Sequence, residues 1–219
     1  MRPSLYAFIQ VCAIGQTLQI PYILNFKPAN IPLYDDVEGS PYLFKDWMAA
    51  DIIMKAGNTY EAIPIKINVY DDKIYFQRND TTYELYPLDI ISELNIVNKS
   101  DPSKNILISK GYMYDGNIVT DKIVQIFSKG KVSLIKTFKK EIKQDYNYGQ
   151  SKTVKSFADM SQYYIVKNGR LSEVKLTKNS LYDITDDKKD AMEAFLKKED
   201  PNLKTPQGFA RALNYYNSL

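Results

Sequence analysis

From Ile63 to Tyr70 the chain alternates without a break. Ile63, Ile65, Ile67 and Val69 are apolar, and Pro64, Lys66, Asn68 and Tyr70 fall between them. Successive strand side chains point to opposite faces, so this run predicts a β-strand with one face on a core and one toward water. Asp71-Asp72 reads as a turn, because Asp bonds to nearby backbone and tolerates left-handed geometry. Ile74 and Phe76 resume the apolar face, Arg78 to Thr81 give a second turn, and Tyr83 and Leu85 resume again. Upstream, Ile52 and Met54 lead to a turn at Ala56-Gly57-Asn58. Turns this close leave no room for crossover helices, so neighbouring strands are expected to be antiparallel. The alternation changes phase between Tyr60/Ala62 and Ile63/Ile65, which one bulged residue explains.

Further along, Asn98–Asn105 is a loop by composition and a candidate divider between two sub-sheets. Ile106–Tyr114 and Ile118–Phe127 read as strands around Asp115-Gly116-Asn117, and Val132–Phe138 as the next. Residues 139–158 are Lys-rich and polar, with Asp145–Lys152 expected as a mobile loop. In Tyr163–Leu176, Asn168-Gly169 fits a type I′ hairpin turn. From Thr177 the period becomes helical. Leu181 and Ile184 mark a short helix. Thr185 to Asp187 are N-cap candidates for a second, whose stripe is Met192, Phe195 and Leu196 and which stops before Pro201. Thr205-Pro206 opens a third, with Phe209, Leu213 and Tyr216 on its apolar face. No repeat of solenoid or propeller length is present.

These signals predict a β-dominated α+β fold: an antiparallel curved sheet or incomplete barrel of consecutive hairpins, with a C-terminal helical segment. Residues 1–15 combine Arg2, an apolar run from Leu5 to Val11 and the small residues Ala13 and Gly15, the pattern of a signal peptide. Ile9-Gln10-Val11 before Cys12 is no lipobox. Residues 16–46 are an extended lead-in containing Pro21, Pro28, Pro32 and Pro41. Residues 47–177 are the antiparallel β domain, and 178–219 the helices packed on it. No later segment approaches the ~20 apolar residues of a membrane span. The expected address is therefore exported: periplasm, outer-membrane associated or extracellular.

The chain has 219 residues, 44% of them hydrophobic, enough for a packed core. A net charge of +3 with both signs mixed argues against a dedicated nucleic-acid binder. Its 18 tyrosines suit half-buried sheet surface, or aromatic platforms for a sugar or partner protein. His is absent and Cys12 is the only cysteine. No His-based triad, Cys–His nucleophile, HExxH zinc site, CxxC redox pair or internal disulfide can be built from this chain alone.

The motif order GSPYLFKDW (Gly39–Trp47), a Gly turn, YEAIPIKINVYDDKIYF (Tyr60–Phe76) and the C-terminal SLYDI…DDKKDAMEAFLKK…LNYYNSL resembles a family of uncharacterised exported proteins from Bacteroidota. The resemblance covers most of the chain after residue 15 and departs at the short, weakly charged N-terminus. It implies export and a β-rich fold with a helical tail. It carries no activity or site.

Several side-chain sets bear on chemistry. Asp71, Asp72, Glu84 and Glu93 are candidates for a glycosidase acid pair, whose members stand ~5–9.5 Å apart. Ser133–Lys136 and Ser172–Lys175 match S-x-x-K, but strand residues three apart face opposite ways, whereas that motif works at a helix start. Asp35, Asp36 and Glu38 lack calcium-loop spacing and read as a solvated turn. Lys136, Lys139, Lys140 and Lys143 suit either an anionic lipid or polysaccharide, or a strand edge kept monomeric by charge. No catalytic, cofactor-binding or metal-ligating residue is assigned and no cofactor is implied. The expected role is a non-enzymatic binding or scaffolding β-domain of the cell envelope, partnered by an envelope protein or a glycan. The alternatives are a carboxylate-dependent glycan-active enzyme using Trp47 or a Tyr beside its acids, or a carrier of a small apolar ligand inside a curved sheet.

Overall fold

A computed structural model describes residues 28–85, 91–98, 101, 105–146 and 153–219. In chain order the strands are β1 (Val37–Glu38), β2 (Met48–Met54), β3 (Thr59–Asn68), β4 (Lys73–Arg78), β5 (Thr81–Glu84), β6 (Ile91–Ile96) and β7 (Ile106–Tyr114). They continue with β8 (Asn117–Ser128), β9 (Val132–Thr137), β10 (Lys140–Tyr146), β11 (Thr153–Asp159), β12 (Gln162–Lys167) and β13 (Arg170–Glu173). Three helices follow: α1 (Lys178–Ile184), α2 (Lys189–Glu199) and α3 (Pro206–Ser218). No helix among the described residues is long and apolar enough to cross a membrane.

Ten strands form one open sheet, ordered β13-β12-β9-β8-β7-β6-β2-β3-β4-β5, and β1-β11-β10 form a smaller one. All pairings are antiparallel except the two-residue contact of β1 with β11. The predicted turns form where turn chemistry put them. Asn168 and Gly169 take φ of 53° and 73°, the left-handed pair that a type I′ turn requires. The phase change before Ile63 is a bulge: the β2–β3 register shifts between Ala50 and Ile52, and Ala62 sits at φ 54° with its N–H on Asp51 Oδ1.

The large sheet curls on itself. β8 and β3 are four strand positions apart, which in a flat sheet is ~19 Å. Yet Asp72, in the β3–β4 turn, accepts a hydrogen bond from Ile123 N of β8 at 3.2 Å and pairs with Lys110 of β7. β7 bulges at Gly111, next to this contact. The β7–β8 register shifts between Lys110 and Tyr112, and Gly111 takes φ 84°. The seam is thus spanned by a side chain rather than a ladder, which makes this an incomplete barrel. The lead-in and the small sheet sit beside it. Leu43 N and Val69 N bond to Ile67 O and Pro41 O, and Lys140 Nζ donates to the carbonyls of Ser40 and Tyr42. Pro28 and Ala29 lie along the outer edge of β5.

One core, on the inner side of the curl, joins Ile52, Ile65, Ile67, Ile74, Phe76, Leu94, Ile108 and Ile123 to Phe138. A second lies between β9, β12 and the helices, where Leu181, Met192, Phe209, Leu213 and Tyr216 meet Val132, Leu134 and Ile165. A third joins Tyr112, Val124, Ile126, Ile135 and Val166. The alternation of β9 explains the split, since Leu134 and Ile135 enter different cores. Asn217 of α3 acts as a surrogate strand: its Oδ1 accepts from Val132 N at 2.9 Å and its Nδ2 donates to Val132 O at 2.8 Å.

Four expectations need correction. The loop at 98–105 divides no sub-sheets, because β6 and β7 on either side pair directly. The Lys-rich stretch 139–158 carries the strands β10 and β11, and Asp145 and Tyr146 belong to β10; residues 147–152 lie outside the described residues. The hairpins are not strictly consecutive, since β6 returns to pair with β2 and β12 with β9. Finally, Thr185 caps the end of α1, its Oγ1 donating to Leu181 O, and α2 begins after a 3-10 turn with no side-chain cap. Thr205 does cap α3, accepting from Gly208 N at 3.1 Å, with Pro206 in the first turn.

Candidate functional site

The four candidate carboxylates are held separately. Asp71 accepts from Tyr34 Oη at 2.5 Å and from Asn68 Nδ2 at 3.1 Å. Asp72 turns the other way, to the β7–β8 seam. Glu84 pairs with Lys73 at 3.1 Å, and Glu93 pairs with Lys129. No two of them share a partner. Asn68, fully buried, organises the turn by accepting from Tyr70 N and Asp71 N. Ser133 and Lys136 diverge as strand geometry requires: Ser133 is buried and accepts from Tyr112 Oη at 2.7 Å, while Lys136 lies over Tyr163 on the opposite face. Ser172 and Lys175 border one shallow depression under α1 with no hydrogen bond between them.

The basic run is dispersed rather than gathered. Lys139 pairs with Glu141 at 2.6 Å, and Lys140 is used on the Ser40 and Tyr42 backbone carbonyls of the lead-in. Asp36 pairs with Lys155 at 2.5 Å, fixing β1 to β11. Among the described residues no group of three or more His, Cys, Asp or Glu is arranged to hold a metal ion. Trp47 and Tyr42 are covered by Lys66, whose Nζ stands 5.8 and 4.5 Å from their ring centroids.

The best-equipped concavity was not anticipated. It lies where α3 crosses β8 and β9, an open cleft of about 820 Å³. Its floor is one cross-strand row: Gln125 pairs with Lys136, and Lys136 with Tyr163, across β8, β9 and β12. Phe127 adds a second ring 6.0 Å from that of Tyr163, at 54°. Lys136 Nζ stands 5.8 Å from the Tyr163 centroid and 5.2 Å from that of Phe138. Gln207, Arg211 and Asn214 wall the other side, spaced i, i+4, i+7 along α3. Asn105 closes one end. Burial, and next the charge of Asp159, pushes the Tyr163 phenol above its ordinary pKa, so it remains a neutral donor. The signal in the sequence was this polar stripe 207/211/214 beside the apolar stripe 209/213/216. The floor gave none, because its members come from three strands.

A second groove, about 500 Å³, runs beside the Gly111 bulge. Met113 and Ile118 are cross-strand partners there, 51% and 73% exposed, and Lys55, Lys110 and Lys129 border it. No family model matches the chain, and no significant match was found among curated proteins or solved structures.

Proposed function

We propose that the chain is an exported, non-enzymatic binding domain of the cell envelope, and that the cleft under α3 binds a glycan. The observation that carries this reading is the composition of the cleft. Two aromatic rings, four side-chain amides and two cations line one concave surface. Aromatic faces hold sugar rings through their C–H groups, and amides both donate to and accept from hydroxyls. The candidate acids, by contrast, are each engaged elsewhere. Export rests on the character of residues 1–15 and on the family resemblance.

The test is co-sedimentation of the purified full chain with insoluble envelope polysaccharide, with the supernatant analysed by mass spectrometry. The expected result is retention on the polysaccharide, lost in Y163A and F127A, with no sugar released. Sugar release that disappears on replacing a carboxylate or Ser133 would refute the non-enzymatic reading. A second reading, binding of an apolar ligand, has the Met113–Ile118 groove in its favour. Fluorescence of a bound apolar dye that M113S and I118S leave unchanged would eliminate it.

A further inference from the structure

Among the described residues, the charged groups lining the cleft are both cations, Lys136 and Arg211, and its amides add donors beside them. Asn214 Oδ1 already accepts from Ser128 Oγ at 2.7 Å, and Asn105 Oδ1 from Asn98 N at 2.8 Å. Each oxygen is thus partly used, and each residue keeps an NH₂ group with two donors to offer a ligand. Lys136 is half-buried, carries three N–H donors, and has no carboxylate within ion-pairing distance among the described residues. Asp159 feels its charge but lies outside the cleft and is held by Ser161 N and Oγ. Arg211 adds a second cation, shared with Glu199 on α2. No Asp or Glu is among the described residues lining the cleft.

Ammonium and amide NH₂ groups cannot satisfy one another, since none of them accepts. A neutral sugar offers a donor with every acceptor. A carboxylate offers acceptors only, and its bonds to an ammonium are charge-assisted. The low-lying rings of Phe127 and Tyr163 beside Lys136 supply the apolar surface for the remainder of such a ligand. We infer that the cleft selects an acidic saccharide, its ring against Phe127 and Tyr163 and its carboxylate at Lys136. This rests on the reading that the cleft is a glycan site, and it adds the charge of the ligand.

The test is NMR titration of the full chain with D-glucuronate, D-glucose and inorganic phosphate, following the side-chain amides of Asn105, Gln125 and Asn214. Glucuronate differs from glucose only in the acid. It is expected to bind about tenfold or more tightly than glucose, the value of one charge-assisted hydrogen bond. K136Q is expected to bring the two within about twofold. N214D, which keeps the acceptor for Ser128 but removes a donor and adds a negative charge, is expected to weaken glucuronate binding at least about tenfold more than glucose binding. Equal binding of glucose and glucuronate by the unaltered chain would overturn the acidic preference and leave the glycan reading standing. Phosphate binding as tightly as glucuronate would overturn it in favour of a bare anion site. No shift with either sugar would overturn both.

Discussion

Asp72 offers the sharpest test of how the sheet is closed. It is one residue of a turn, yet it spans a seam that the backbone leaves open. Its Oδ1 accepts from Ile123 N at 3.2 Å, its Oδ2 pairs with Lys110, and Lys122 stands 3.9 Å away. The Asp72 and Lys110 side chains are 26% and 20% exposed, so the pair is partly desolvated, while Lys122 at 59% adds little. Replacing Asp72 with Ala removes a hydrogen bond to a charged acceptor, about 1.5–3 kcal/mol. It also places a Cβ-bearing residue without a local bond at φ 58°, about 1 kcal/mol more. The expected loss for D72A is therefore about 3 kcal/mol, or a Tm lower by about 6–12 °C in a chain of this size. D72N keeps the acceptor and the left-handed tolerance and is expected to lose about 1 kcal/mol. Urea unfolding followed by far-ultraviolet circular dichroism measures both losses, and hydrogen exchange at the Ile123 amide locates them. That amide should lose protection in D72A and keep it in D72N. A D72A protein within about 0.5 kcal/mol of the parent, with Ile123 still protected, would show that the curl does not depend on this contact.

Four further outcomes follow from the structure. Tyr75 is 1% exposed and its hydroxyl is the only buried side-chain polar atom among the described residues without a partner, so Y75F should gain about 1 kcal/mol. Y112F, which breaks the bond to Ser133, should lose about as much, and equal signs for the two in chemical denaturation would contradict the assignment. N217A uncovers both backbone groups of buried Val132 and should cost about 2–3 kcal/mol, with hydrogen exchange rising first in α3; a change spread evenly over the sheet would argue against a local pin. Burial, aided by Asp71 at Tyr34 and by Asp187 at Tyr216, pushes Tyr34, Tyr75 and Tyr216 up to about 12 from 10.0. Their neutral forms are favoured by folding, so this stability is whole below pH 10 and is lost as pH rises toward 12. Phenolate absorbance and unfolding should therefore rise together above pH 10, and full phenolate formation at pH 10.5 in a chain still folded would contradict it.

What the chain determines by itself is local. The alternation in β3 and β4, the bulge before Ile63, the Asn168-Gly169 turn and the Thr205-Pro206 helix start were all legible. Each rests on a few neighbouring residues whose φ, ψ and facing are set by sterics and side-chain period. β10 and β11 were obscured because Lys and polar residues dominate them, and they owe their existence to pairing with each other and with β1. The return of β6 to β2, the curl that carries Asp72 to β8, and the division of β9 between two cores depend on which faces bury most apolar surface together. That quantity is a property of the assembled chain. The cleft is its product: Gln125, Lys136, Tyr163 and Asn214 are ordinary polar and aromatic residues in the sequence, and only strand register and the seating of α3 make them neighbours.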